Sequence, residues 1–312
     1  MTTGATEGTR GAEGTRGAEG AASPGDFTAA APGTRHADTG ATRETPATAR
    51  LVDAAAASFL DRYACVPMRD LVVVIPAFNE ESSVAAVVRA VPPVIDGVQT
   101  ATLVMDDGSS DATAAVAEKA GAMVCSLGQN VGQGVVLRLG YRLASARGAR
   151  YIATADADGQ FDPAELPGLV APLLAGEADF VNGSRRLGRN VQTDKVRRTG
   201  VVVFGALLGA LTGVRITDPS NGLRAWRTEV TDQVTLTQTQ YQTSELLLRT
   251  VAHGFRVMEV PATMYERTAG TSKKGRNWRY GLRFARVIAT TAWEERSGLL
   301  RARRARRAPR RG

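Results

Sequence analysis

The 312-residue chain has only two cysteines, Cys65 and Cys125. Their spacing fits no metal pattern, which argues against a disulfide scaffold and a zinc site and makes a reducing compartment the default. Long apolar runs are missing too. The longest, Val201 to Val214, carries three glycines and is shorter than the ~18–20 residues that cross a bilayer. It reads as a buried or interfacial helix. Residues 1–50 have almost no large side chains of apolar character, and no apolar stretch follows a basic start, so they do not read as a secretory signal. Gly, Ala, Thr and Glu dominate there, and Gly8-Thr9-Arg10-Gly11-Ala12-Glu13 recurs as Gly14-Thr15-Arg16-Gly17-Ala18-Glu19. Such a stretch cannot bury enough surface to offset its ordering entropy. A disordered tail is expected over 1–50, and the repeat is too short for a solenoid.

Acid is absent from the far end. Residues 296–312 hold eight arginines and no carboxylate, so the formal net charge of +8 belongs to this segment and the rest is balanced, 31 basic against 31 acidic residues. A run of this kind is either a solvated, disordered end or a surface for anionic lipid or nucleic acid. The expected organisation is a catalytic domain over 66–275, an amphipathic helix over 276–298 and an Arg-rich tail over 299–312.

Within the domain, strands and helices alternate. Leu71 to Ile75 is a β-branched run that should end at Pro76, the mark of a strand buried on both faces. Glu80 to Ala90 follows as a helix, closed by Pro92-Pro93. Ala101 to Met105 is a second strand, and Asp111 caps a helix that runs to Ala120. Ala122 to Leu127, a glycine-rich loop from Gly128 to Gly134, a helix to Arg147 and the strand Tyr151 to Ala155 complete the series. The alternation implies an α/β fold with a mostly parallel sheet covered on both faces. Asn79-Glu80, Asp106-Asp107 and Asp156-Ala157-Asp158 all follow strand C-termini, the edge where ligands bind in open α/β sheets.

Asp156 and Asp158 are two residues apart, so both carboxylates can meet one ion if the chain turns, and Gln160 adds a neutral oxygen. Oxygen-only ligands suit Mg²⁺ or Mn²⁺, which would offset the charge of a diphosphate leaving group. A plain surface turn capping the next helix is the alternative. Asp106 or Asp107 can accept hydrogen bonds from a base or ribose. Asp218-Pro219-Ser220-Asn221-Gly222 reads as a turn. Glu245 fits no more than a favourable charge at a helix start. Arg185-Arg186 and the stretch from Arg267 to Lys274 are basic patches suited to anions or to solvent.

Taken in order, Ile75-Pro76-Ala77-Phe78-Asn79-Glu80-Glu81, Asp106-Asp107-Gly108-Ser109-Ser110-Asp111, Asn130-Val131-Gly132-Gln133-Gly134 and Asp156-Ala157-Asp158-Gly159-Gln160 resemble the family 2 inverting glycosyltransferases. Gly183-Ser184-Arg185, Asp218 to Ala225, Glu259-Val260-Pro261 and Arg267 to Lys273 extend the resemblance to the dolichyl-phosphate mannosyltransferase, or polyprenyl-phosphate, type over about residues 70–275. The resemblance implies a GT-A type α/β/α sandwich that binds a nucleotide. It implies that Pro76, Phe78 and Glu80 contact the nucleotide and that Asp107 meets its base or ribose. It implies that Asp156, Asp158 and Gln160 hold Mg²⁺ or Mn²⁺, that Arg185, Arg267 and Lys273 meet phosphates, and that Asp218 lies near the reacting centre. Gln133 stands where the family usually has Lys, Asn221-Gly222-Leu223 replaces Ser-Gly-Phe, and Phe161 replaces a frequent His. Many members carry C-terminal transmembrane helices, for which no run exists here. A helix from Asn277 to Gly298, with Arg279, Arg283 and Arg286 and the aromatics Trp278, Tyr280, Phe284 and Trp293, is a substitute that would dock on an anionic membrane, or else simply packs on the domain.

The expected reaction is transfer of a sugar from a GDP- or UDP-sugar to a polyprenyl phosphate at the cytoplasmic face of a membrane. The alternatives are a soluble transferase acting on a hydroxyl, for which Asp218 is the candidate base, and a nucleotide-binding, membrane-tethered module without turnover. A specific nucleic-acid partner is not expected, because no base-reading motif accompanies the arginines.

Overall fold

Alternation along the first strand decides the architecture. In β1 (Leu71–Ala77) the side chains of Val72 and Val74 enter one core cluster, and those of Leu71, Val73 and Ile75 enter another. A strand buried on both faces needs cover on both sides, and the sequence supplies helices for each. The computed structural model describes residues 45–189, 205–206, 208–239, 242–265 and 278–307. Residues 1–44 of the tail expected over 1–50, residues 266–277, which contain the basic stretch from Arg267 to Lys274, and the end 308–312 lie outside the described residues.

The sheet is built on β1, β3 (Val98–Asp106), β4 (Met123–Ser126) and β5 (Tyr151–Thr154), all mutually parallel, with β2 (Val94–Ile95) antiparallel on the flank of β3. Beyond β5 the order continues through β7 (Arg224–Arg227), β6 (Phe180–Ser184) and β8 (Val257–Pro261). β7 runs antiparallel to both of its neighbours, while β6 and β8 are parallel. The mostly parallel α/β sandwich expected from the sequence is therefore present.

On one face lie α1 (Pro46–Arg62), α4 (Gln133–Ala146) and α7 (Gln242–Ala252). On the other lie α2 (Val84–Ala90), α3 (Thr113–Lys119) and α5 (Leu166–Leu174). A short helix, α6 (Glu229–Gln233), follows β7. Gly140 lets α4 sit directly on the sheet: a Cβ there would come within 2.6 Å of Val74 Cγ1 and 3.0 Å of Met105 Cγ. Trp226 is fully buried, stacked on Phe180 at 5.6 Å and edge-on to Tyr141 at 5.0 Å.

Several boundaries differ from the sequence reading. The strand expected to stop at Pro76 runs to Ala77. Pairing with β5 ends at Val74–Thr154, so the N–H that proline lacks has no partner strand on that side. The helix expected from Glu80 starts at Val84, because residues 80–83 form a turn: the Ser83 N–H bonds back only three residues to Glu80 O, and Ser83 takes φ −120°, outside the helical range. The N–H groups of Glu80 and Glu81 donate to Thr113 Oγ1 and Asp111 Oδ2. Asp111 precedes its helix by one residue more than a cap would, although its Oδ1 still accepts from the Thr113 N–H at 3.0 Å. Helix α1 begins at Pro46, inside the stretch read as a tail, with Thr45 as a side-chain cap. Of the run Val201 to Val214, the described part is helical over 205–206 and 208–212, with Leu208 and Thr212 buried.

The C-terminal region differs most. The expected single helix is two, α8 (Trp278–Glu294) and α9 (Arg296–Arg307), broken at Glu295. The arginine run, for which a solvated end was one of two readings, is helical through Arg307, because Gly298, Leu299 and Ala302 pack on α7.

Trp226→Ala should lower stability by about 3–5 kcal/mol, as for a large aromatic removed from a packed core, measured by urea denaturation. A loss under about 1 kcal/mol would mean that the two aromatic contacts do not hold the β6–β7 half of the sheet to α4.

Candidate active site

Loops that leave the parallel strands converge at one edge of the sheet, and buried side chains tie them together. Asn79 adopts a left-handed φ of 51°, a conformation its short amide tolerates. Its N–H donates to Ser109 Oγ at 2.9 Å, and its Oδ1 accepts from the Ser110 N–H at 2.8 Å. Glu81 Oε2 accepts from the Ala112 N–H at 2.9 Å. The loops after β1 and β3 are thus one unit, which sets Pro76, Phe78 and Glu80 beside Asp107. All three are half-buried.

Asp107 joins a third loop. Its carboxylate accepts from the N–H of Val131 at 2.7 Å and of Gly132 at 3.0 Å. Burial raises its pKa to about 6, against the pull of those two hydrogen bonds. Gly108 has φ +71°, and a Cβ there would meet the Gln129 backbone at 2.3 Å, so the loops touch with no room for a side chain. The structure thus occupies Asp107 with the glycine-rich loop. Gln133 is exposed at the first turn of α4.

A fourth segment, residues 235–239, closes on that loop. Gly134 N–H donates to Thr239 O at 3.0 Å, and Arg138 Nη1 donates to Gln238 O at 2.7 Å. Glu245, fully buried, holds the segment by accepting from the N–H groups of Thr237 at 2.8 Å and Gln238 at 3.0 Å. The sequence reading gave Glu245 no more than a dipole charge. Arg249, missed altogether, pairs with Glu245 at 3.1 Å, and their i,i+4 spacing was the available signal.

Asp156 and Asp158 follow β5. Asp158 is buried, and its Oδ1 accepts from the Gln160 N–H at 3.0 Å, which shapes the turn that their spacing requires. Gln160 is buried as well, and its carbonyl accepts from the Tyr265 N–H at 2.8 Å. The Asp156 carboxylate lies on the backbone of Gly222, where a Cβ would sit 2.3 Å from Oδ2. The turn 218–222 is therefore an inner wall of the site, and a side chain at 222 would displace the Asp156 carboxylate. Among the described residues, no group of three or more His, Cys, Asp or Glu could hold a metal ion. Two carboxylates and an amide still fit a hard ion of the Mg²⁺ class, which takes its remaining oxygens from phosphates and water.

Asp218 is fully buried and forms a two-point ion pair with Arg185, Nε–Oδ2 and Nη2–Oδ1 both 2.5 Å. Arg185 also donates from Nη2 to Ser220 Oγ at 2.9 Å. Glu259 fixes the chain here, accepting from the N–H groups of Thr217 at 2.7 Å and Asp218 at 3.1 Å and from Asn182 Nδ2 at 2.9 Å. Beneath the turn, Arg224 is 1% exposed and donates to the carbonyls of Asn221, Pro219 and Thr243. Burial lowers its pKa to about 10, and nearby Tyr141, Asp218 and Asp156 offset part of that cost. Of the sequence-predicted residues, Asp156, Asp158, Gln160, Arg185 and Asp218 come together in this half of the edge, and Pro76, Phe78, Glu80 and Asp107 in the other. Arg267 and Lys273 lie outside the described residues.

Acidic side chains thus line the C-terminal edge of a mostly parallel sheet, the edge where α/β domains bind ligands. Residues 72–235 match the model of glycosyl transferase family 2. The chain belongs to that family, is a glycosyltransferase and has the GT-A fold. It is 32% identical to polyprenol monophosphomannose synthase of Mycolicibacterium smegmatis, over 76% of this chain and 91% of that one. It is 31% identical to dolichyl-phosphate hexose transferase of Haloferax volcanii, over 65% and 86%. Among solved structures it is similar to glucosyl-3-phosphoglycerate synthase from Mycobacterium tuberculosis, in complex with Mn²⁺, UDP and phosphoglyceric acid. That match has a TM-score of 0.56 and 23% identity over 77% of this chain and 82% of that one.

Two outcomes are expected. Asp107, with a pKa raised to about 6 in the folded chain from 3.8, binds its proton more tightly folded than unfolded. Stability from this group is therefore greatest below about pH 4 and falls as pH rises to about 6. Urea melts should show the stability of the wild type, relative to Asp107→Asn, declining across that window and level above it; a difference independent of pH would refute the burial. Glu245→Gln should raise the dissociation constant for nucleotide about tenfold or more, through loosening of residues 235–239. Unchanged binding in calorimetry would separate that segment from the site.

Proposed function

We propose that the chain transfers a hexose, with inversion, from a nucleotide-diphosphate sugar to a polyprenyl phosphate at the cytoplasmic face of a membrane. The observation that carries the reading is the meeting of Asp156 and Asp158 with the Arg185–Asp218 pair at one sheet edge. Kinship supports the acceptor: the Mycolicibacterium relative is named for a polyprenol product and the Haloferax one for dolichyl phosphate. Either a GDP- or a UDP-sugar suits the nucleotide side.

In the reaction, a phosphate oxygen of the acceptor attacks the anomeric carbon while the bond from that carbon to the diphosphate breaks, releasing the nucleoside diphosphate. Asp156, Asp158 and Gln160 would hold Mg²⁺ or Mn²⁺, which supplies charge stabilisation to the leaving diphosphate. Pro76, Phe78 and Glu80 line the place of the nucleoside, with Asp107 keeping the glycine-rich loop in register. Arg185 meets a phosphate, its guanidinium oriented by Asp218, and Arg267 and Lys273 add charge for the same purpose. An acceptor phosphate is already an anion and needs no general base. That suits Asp218, both of whose oxygens accept from Arg185. It also disfavours the hydroxyl-acceptor reading, which asked Asp218 to take a proton.

With a panel of labelled GDP- and UDP-sugars, a polyprenyl phosphate and Mn²⁺ or Mg²⁺, label should enter the organic phase. Asp158→Ala should reduce the rate by about two orders of magnitude or more. Nucleotide release without lipid product would move the acceptor to a hydroxyl, and a fully active Asp158→Ala would remove the ion from this position.

A further inference from the structure

We infer that the outward face of the α8–α9 junction is a docking surface for an anionic lipid bilayer. Glu294 and Glu295 are the only acidic residues from 278 to 312. Both are turned inward onto Arg249, at 2.8 and 2.6 Å. Arg249 is itself buried and anchored to Glu245, so the two carboxylates are drawn away from the outer surface.

What faces outward is cationic and apolar. Arg296, Leu300 and Arg304 recur every four residues on α9, with Arg301 beside them, and all four are exposed. The opposite side of α9, Gly298, Leu299 and Ala302, is buried against α7. A Cβ at Gly298 would come within 2.6 Å of the Ala252 carbonyl, so the helix is seated without slack. Trp293 is 66% exposed, Leu300 is 55% exposed, and the Arg296 guanidinium lies 4.8 Å from the centre of the Trp293 ring. Exposed apolar side chains scattered singly are ordinary, but Trp293 and Leu300 stand among three exposed arginines on a surface from which both glutamates are turned away, the apolar-plus-cationic pattern of an interfacial helix.

A bilayer surface satisfies both parts. Anionic headgroups take the arginines, and Trp and Leu enter the boundary between headgroup and acyl chain, where tryptophan is enriched. A nucleic acid would take the arginines and could stack on the tryptophan, but it offers Leu300 nothing. Docking in this sense does not depend on the reaction proposed above. Only its consequence does: it would bring the sheet edge to an acceptor headgroup held in the membrane.

The test is sedimentation of the full chain with phosphatidylcholine vesicles, with and without phosphatidylglycerol, while Trp293 emission is followed. Binding should require phosphatidylglycerol, weaken with added salt, and shift the emission to the blue, a shift absent from Trp293→Phe. The triple change Arg296→Ala, Arg301→Ala and Arg304→Ala should weaken vesicle affinity by about a hundredfold, whereas lysine at the same three positions should retain most of it. The far-ultraviolet circular dichroism and urea midpoint of the alanine variant should match the wild type, which verifies its fold and keeps this outcome separate from any failure of the transferase reading. Absence of vesicle binding, equal binding to neutral vesicles, undiminished binding by the alanine variant, or binding to duplex DNA without binding to vesicles would each overturn the inference.

Discussion

A carboxylate taken out of water must find donors, and in this molecule the donors are loop backbones. Asp107 takes the N–H groups of Val131 and Gly132, Glu245 those of Thr237 and Gln238, and Glu259 those of Thr217 and Asp218. Asp218 takes the Arg185 N–H as well as its guanidinium. An unsatisfied buried charge costs several kcal/mol, so each acid leaves its loop few alternatives. Loops at a strand edge have little core of their own. Here they are fixed by these acids before any substrate arrives, which is the preorganisation that transfer chemistry uses.

The division of labour among the acids follows from where each sits. Those beneath the loops are spent on structure, while Asp156 and Asp158 stand where the chain leaves β5, beside the Gly222 backbone. Glycine at 108, 134 and 222 has one function in common: neighbouring backbone or carboxylate lies within 2.3–2.6 Å of where a Cβ would be. The site is thus built by close approach of main chains, with acids as fasteners.

Much of this was legible in the sequence, and the limits have physical causes. Strands such as Leu71–Ala77 are apolar runs alternating with helical segments, so their existence and parallel packing could be read directly. Boundaries failed where one residue leaves the helical range without any mark in its side chain, as Ser83 does at φ −120°. The edge-of-sheet acids were visible because each follows a strand. Glu245 and Arg249 are four residues apart and were readable as a pair, but the backbone N–H groups that Glu245 holds carry no side-chain signal. Glu259 was not identified as a fastener because its partners lie 41 to 77 residues away. The break at Glu295 was invisible for the same reason: periodicity runs through it, and Arg249, 46 residues away, turns its side chain inward.

The most direct measurement is anomalous diffraction from crystals grown with Mn²⁺ and a nucleoside diphosphate. A manganese peak in contact with Asp158 or Asp156, with the diphosphate on the same ion and the nucleoside beside Phe78 and Glu80, is the expected result. A nucleotide bound at that edge with no ion at the aspartates, or a manganese peak and nucleotide elsewhere on the chain, would contradict the assignment of the site.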